Sequence, residues 1–217
     1  MSAAYGAYRE ARDLSWEILL RHHVSRLPVQ VSPICRAEGI GLYSYERAAE
    51  LIRCYGLEEN CRAGDGFTFR RGESYVIVYD STATVERQRF TVAHELGHCL
   101  LGHLKSDGAT QGCAEPSDRM EEMQLQANVF ASRLLAPACV LRAAGVRDAR
   151  DIARLCGISL PAAQWRWQRL QLLEDRERQR RQDDLPGCYG ASPRERQVLA
   201  QFSDYLSRLA QSPSSEP

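Results

Sequence analysis

His94-Glu95-Leu96-Gly97-His98 lies within residues 84–104, where Phe90, Val92, Ala93, Leu96, Leu100 and Leu101 recur as the apolar positions of one long helix. Residues four apart on a helix point from the same face, so the two imidazoles converge. Zinc accepts imidazole nitrogens at roughly 2.0–2.1 Å, and a catalytic zinc keeps one position open for water. Glu95 is placed to take a proton from that water rather than to bind the ion. Shuffling this composition would produce such a motif in about one sequence in a hundred, so chance is a poor explanation. The bland reading of the same residues is a helix with two stacked histidines and a surface ion pair at Glu95. His103 falls one residue short of the third histidine in the longer His-Glu-x-x-His-x-x-Gly-x-x-His pattern, and Leu101 stands where that pattern has Gly. It reads instead as a cation at the helix C-terminus. Cys99 is turned about 100° from its histidine neighbour and reads as core.

The chain has 217 residues, 28 Lys+Arg against 28 Asp+Glu, and 44% hydrophobic residues. That is enough to bury a core, and it excludes wholesale disorder and fibrous structure. One main domain over residues 13–177 is expected, with a linker, an amphipathic helix and a disordered tail over 178–217. No run approaches the roughly 18 apolar residues of a membrane span, and residues 1–13 lack the apolar segment of a secretory signal. The expected location is the cytoplasm. The cysteines, Cys35, Cys54, Cys61, Cys99, Cys113, Cys139, Cys156 and Cys188, contain no Cys-x-x-Cys pair and read as buried hydrophobes. Zero net charge gives no support to a nucleic-acid or membrane partner. Arginine is concentrated between Arg142 and Arg181.

Elsewhere the pattern predicts a helix over 13–25, a short helix capped by Ser32 before Pro33, a strand over 40–44 and a helix over 45–54. A hairpin is expected from 67–70 and 75–79, with Tyr75-Val76-Ile77-Val78-Tyr79 the best strand. A loop follows at 105–116, then a helix from Ser117 or Asp118 to about Ala136. Helices at 138–144, 148–156 and 160–174, a linker at 183–193 and a last helix at 194–209 complete the reading.

Residues 89–98, Arg-Phe-Thr-Val-Ala-His-Glu-Leu-Gly-His, followed by 127–137, Ala-Asn-Val-Phe-Ala-Ser-Arg-Leu-Leu-Ala-Pro, resemble the ImmA/IrrE family of metallopeptidases over roughly 32–170. The resemblance implies an α+β, zincin-like fold, mainly helical, with a small sheet preceding the metal helix. It also implies zinc held by His94 and His98, Glu95 as catalytic base, and a third ligand from the downstream helix. In the family that ligand is a Glu four residues before an Asn or Asp. Here the second position is Asn128, but the first is Gln124, whose amide oxygen is a weaker, neutral ligand. Three arrangements follow. Gln124 coordinates through its oxygen, which is the favoured one; Glu121 swings in from one turn earlier; or the site holds metal poorly and is silent. Asn128 would accept a hydrogen bond from a ligand imidazole.

Several such enzymes, commonly encoded on prophages and mobile elements, cut a helix-turn-helix repressor, which is the implied partner. Strand 75–79, if at a sheet edge, would pair with the extended substrate. Two alternatives come from other classes. One is a silent member that binds the repressor without cutting. The other is a DNA-binding regulator, since Ala153-Arg154-Leu155-Cys156-Gly157-Ile158-Ser159 has helix-turn-helix spacing. Against the latter, Arg166 stands where that motif buries an apolar residue, and Trp165, Trp167 and Leu170 suggest packing.

Overall fold

The computed structural model describes residues 3–58, 64–104, 118–182 and 192–211. The expected loop at 105–116, the cap at Ser117, most of the linker at 183–193, the tail after Gln211, and Cys61, Cys113 and Cys188 lie outside these. The elements run α1 (Ala3–Arg21), α2 (Val31–Ala37), β1 (Gly41–Ser44), α3 (Ala49–Tyr55), β2 (Gly66–Arg71), β3 (Ser74–Tyr79), α4 (Val85–Leu100) and α5 (Asp118–Leu135). They continue with α6 (Ala138–Ala143), α7 (Ala149–Cys156), α8 (Leu160–Gln182), α9 (Pro193–Gln201) and α10 (Ser203–Gln211). The fold is α+β and zincin-like, mostly helical with one small sheet. The chain divides into two compact units, Met1–Ser15 with Gln30–Ala131, and Trp16–Val29 with Ser132–Pro217. No described helix is long and apolar enough to cross a membrane.

The first unit is built on a three-stranded sheet in the order β1-β3-β2, with β1 parallel and β2 antiparallel to β3. Strand β3 is therefore central, so the condition under which it would pair with a substrate, a place at the sheet edge, is not met. Its run of apolar side chains explains the central place, because Val76, Ile77 and Val78 are all buried and an edge strand rarely fills both faces. Val76 and Val78 join Phe67 and Phe69 of β2 and Ala48 and Ile52 at α3 in one core cluster. Ile77 and its partner Thr68 point to the opposite face of the sheet. There they meet α4, which packs on both β2 and β3.

Two glycines set how closely α4 is approached. A Cβ at Gly66 would lie 2.5 Å from Thr91 Cγ2 and 2.8 Å from the Val78 carbonyl oxygen. A Cβ at Gly97 would lie 3.0 Å from the Phe130 ring and 3.3 Å from the Ala127 Cα of α5. The second contact is with backbone, so side-chain rearrangement on α5 offers little relief. Helix α4 itself starts where Thr84 caps it, its hydroxyl accepting from the Arg87 N–H.

In the second unit, Asp148 caps α7, and Gly157, in the left-handed region, turns the chain into α8, which packs against α7. Arg166 is 3% exposed and its Nε donates to the Ala136 carbonyl at 2.6 Å. Trp165, read as a packing residue, is instead 77% exposed, and Leu170 is buried. Helix α9 opens with a capping box of Ser192 and Glu195 and packs on α6. Gln201 donates to the carbonyls of Leu19 and Val24.

Several boundaries differ from the sequence reading. Helix α1 starts at Ala3, and α2 is preceded by Gln30 rather than capped by Ser32. Helix α8 continues through its charged end to Gln182, since Arg, Glu and Gln are good helix formers without an apolar stripe. The last helix breaks at Phe202 into α9 and α10. Cys35, Cys99, Cys139 and Cys156 are buried, but Cys54 is exposed. Replacement Gly97→Ala is expected to destabilise the protein by about 1–3 kcal/mol, the usual cost of overpacking a tight contact, measured by urea unfolding.

Candidate metal centre

The two histidines of α4 lie one turn apart, with ring centroids 4.7 Å from each other. His94 Nε2 is 3.0 Å from His98 Nε2 and 3.1 Å from Gln124 Oε1 of α5. On its other side, His94 Nδ1 lies 3.0 Å from Asn128 Oδ1. An amide oxygen only accepts, so the Nδ1–H donates to Asn128 and the Nε2 of neutral His94 carries a lone pair. That lone pair meets a second acceptor, Gln124 Oε1, and the Nε2 of His98. Burial holds His94 below the ordinary imidazole range, with Asn128 and Gln124 opposing the shift. Burial, then His94 and His103, drive His98 down to about 2. Both rings are thus neutral near pH 7, and His94 brings no Nε2 proton to the convergence of His94 Nε2, His98 Nε2 and Gln124 Oε1.

A divalent cation resolves such a convergence. Tetrahedral ligands at zinc distances stand about 3.3 Å apart, close to the separations here. The donor set therefore fits a metal, with His94, His98 and Gln124 as the residues that would hold it. Neutral three-ligand sets can support zinc catalysis, although an amide oxygen is a poorer donor than imidazole. Among the described residues, His, Cys, Asp and Glu alone form no metal-holding group. The amide oxygen of Gln124, 3.1 Å from His94 Nε2, is the atom that would serve as third ligand. Glu121 is exposed on α5.

Glu95 is only 6% exposed and accepts a 2.8 Å hydrogen bond from the Thr68 hydroxyl of β2. Burial pushes its carboxyl up to about 7, against the lowering effect of Thr68. Cys99 is core, its thiol raised chiefly by burial.

His103 is not a solvated cation at the helix end. Its Nδ1 lies 2.8 Å from His98 Nδ1 and its Nε2 lies 3.0 Å from Gln126 Oε1. Burial holds it below the usual imidazole range. Gln126 in turn donates to Glu10 of α1 at 3.4 Å. The sequence reading missed Thr68, Gln126 and Glu10. Thr68 carries a weak signal, being the polar residue between Phe67 and Phe69 in the buried half of the strand. Gln126 and Glu10 carry none.

A family model described as Peptidase_M78, IrrE N-terminal-like domain, matches residues 60–168, half of the chain. That span contains β2, β3, the histidine motif and both Gln124 and Asn128. No curated protein matches the chain.

Glu95 holds its proton up to about pH 7 in the folded protein but only to about 4.5 when unfolded. Ionisation between these values favours the unfolded chain. Stability therefore falls as pH rises through the window, by up to about 3 kcal/mol. The buried histidines act in the opposite sense, so the contribution is read by difference. Metal-free Glu95→Gln is expected to gain stability relative to metal-free wild type between pH 4.5 and 7, as followed by denaturant unfolding at each pH.

Proposed function

The chain belongs to the IrrE N-terminal-like family of metallopeptidases, and on that premise we propose that it is a zinc-dependent endopeptidase of the cytoplasm that cuts a helix-turn-helix repressor of a prophage or other mobile element. The observation that carries the catalytic part is the convergence of His94 Nε2, His98 Nε2 and Gln124 Oε1, with Glu95 one residue along from His94. The repressor and its genetic setting rest on the family resemblance.

A bound divalent ion supplies Lewis acidity toward the scissile carbonyl and acidity to a water. The protein supplies the rest. Glu95 takes the proton of the attacking water and later hands it to the leaving amine; a carboxyl raised to about 7 is matched to both transfers near neutral pH. Thr68 holds that carboxyl by its hydroxyl, and Asn128 holds the His94 ring. Strand β2 bears Thr68 and, among the described residues, pairs with β3 along one side only, so its outer edge is the place for an extended substrate backbone. An unstructured segment of a repressor suits such an edge better than a packed domain does.

Gln124 also favours a second reading, a protein that binds the repressor without cutting it. The DNA-regulator reading is weakened by Arg166, which is buried and donates to Ala136 rather than facing outward to phosphate.

The readings separate in two measurements. By calorimetric zinc titration, His94→Ala is expected to lose binding, while Gln124→Glu binds at least about tenfold more tightly than wild type. In co-expression with the repressor encoded nearest the gene, wild type is expected to cleave and Glu95→Gln to lose about 100-fold or more of the rate. Equal cleavage by the two removes Glu95 as base. A wild type that co-purifies with intact repressor and carries no zinc selects the silent binder.

A further inference from the structure

A line of polar groups leads away from the metal centre on the side opposite Asn128. It runs from His98 Nδ1 to His103 Nδ1 at 2.8 Å, from His103 Nε2 to Gln126 Oε1 at 3.0 Å, and from Gln126 Nε2 to Glu10 Oε2 at 3.4 Å. His98 is fully buried, and Gln126 is nearly so. Each link can be made in only one sense once the far end is fixed.

Gln126 turns its NH2 toward Glu10, donating from Nε2 to Oε2, so Glu10 accepts. The Gln126 carbonyl then faces His103, whose Nε2 must carry the proton. A neutral His103 is left with a bare Nδ1, which accepts from His98. His98 is thereby protonated on Nδ1, and its lone pair is on Nε2, the atom facing His94. The reverse sense would set the Gln126 carbonyl against the Glu10 carboxylate. It would also put the His98 proton on Nε2, within the space where the lone pairs converge.

We infer that His103 is a positioning residue that fixes the tautomer and ring orientation of His98, with Gln126 and Glu10 setting the direction of its hydrogen bonds. In this arrangement both ligand imidazoles are anchored through Nδ1, His94 by an amide on α5 and His98 by a chain that ends on α1. The value of the anchor for metal binding rests on the proposed metallopeptidase reading. The tautomer does not.

The test uses full-length protein. Long-range proton–nitrogen NMR spectra of metal-free wild type are expected to show His98 with a protonated Nδ1 and a bare Nε2, and His103 protonated on Nε2. Glu10→Gln keeps a hydrogen-bonding side chain but can both donate and accept, so it is expected to give a mixture of His98 tautomers without loss of folding. Zinc affinity by chelator competition is expected to fall about 10–100-fold in His103→Ala and to return to within about threefold of wild type in His103→Gln, whose carbonyl can accept from His98. The visible spectrum of bound cobalt should broaden in His103→Ala alone. A metal-free wild type with His98 protonated on Nε2 overturns the inference, as does His103→Ala binding zinc within twofold of wild type. Should wild type bind neither zinc nor cobalt while the tautomers are as stated, the metallopeptidase reading fails and the positioning role stands.

Discussion

Everything at the centre depends on how near α5 comes to α4 at Gly97. The Ala127 Cα and the Phe130 ring occupy the space where a Gly97 side chain would be. Gly97 sits between the two histidines in sequence, and Ala127 sits between Gln124 and Asn128. The close approach of the two helices therefore falls within the same turns that carry His94, His98, Gln124 and Asn128. Any larger residue at Gly97 would lift the amides of Gln124 and Asn128 off the His94 ring. A second close approach, at Gly66, seats β2 under the same helix and brings the Thr68 hydroxyl to Glu95. Two absent side chains thus let two separate elements reach one turn of helix.

Such closeness puts polar groups in an apolar setting, where each unmet hydrogen bond costs about 1–3 kcal/mol. Glu95, His98, Thr68 and Gln126 are all buried. Thr68 bonds Glu95, and Gln126 bonds both His103 and Glu10. Burial sets the charge states as well: it raises the Glu95 carboxyl and lowers all three imidazoles, so metal-free neutrality is the resting condition of the pocket. What remains within that neutral pocket is the close approach of His94 Nε2 to His98 Nε2 and to Gln124 Oε1.

The parts of this arrangement carried by local pattern were legible in the sequence. The histidine spacing, the helix around it and the hairpin before it all follow from short-range periodicity. The partnership of Gln124 and Asn128 with His94 came through family resemblance, because nothing in a helical repeat says which other helix will face it. The central place of β3 has its clue in the strand itself: five consecutive β-formers without alternation mark a strand covered on both faces. Trp165 misleads, since its bulk suggests packing while its place on the α8 wheel faces outward. Glu10 and Gln126 stand 116 residues apart and share no motif. Contacts of that kind depend on the finished fold.

Gln124 changes the competition for the pocket as well as the strength of the site. A carboxylate in its place would attract a divalent ion more strongly, but next to the bare Nε2 of His94 it would also attract a proton, since a nearby negative charge raises an imidazole's affinity for one. The metal-free pocket could then settle its crowded lone pairs by becoming an imidazolium–carboxylate pair, and an arriving metal would have to displace that proton. With Gln124 no such pair forms. The amide contributes less to holding the ion and gives the proton no foothold, so loss of affinity from the missing charge is partly offset by loss of the competitor. The difference between the two side chains should therefore narrow as the pH falls toward the range in which a carboxylate-paired His94 would take up its proton.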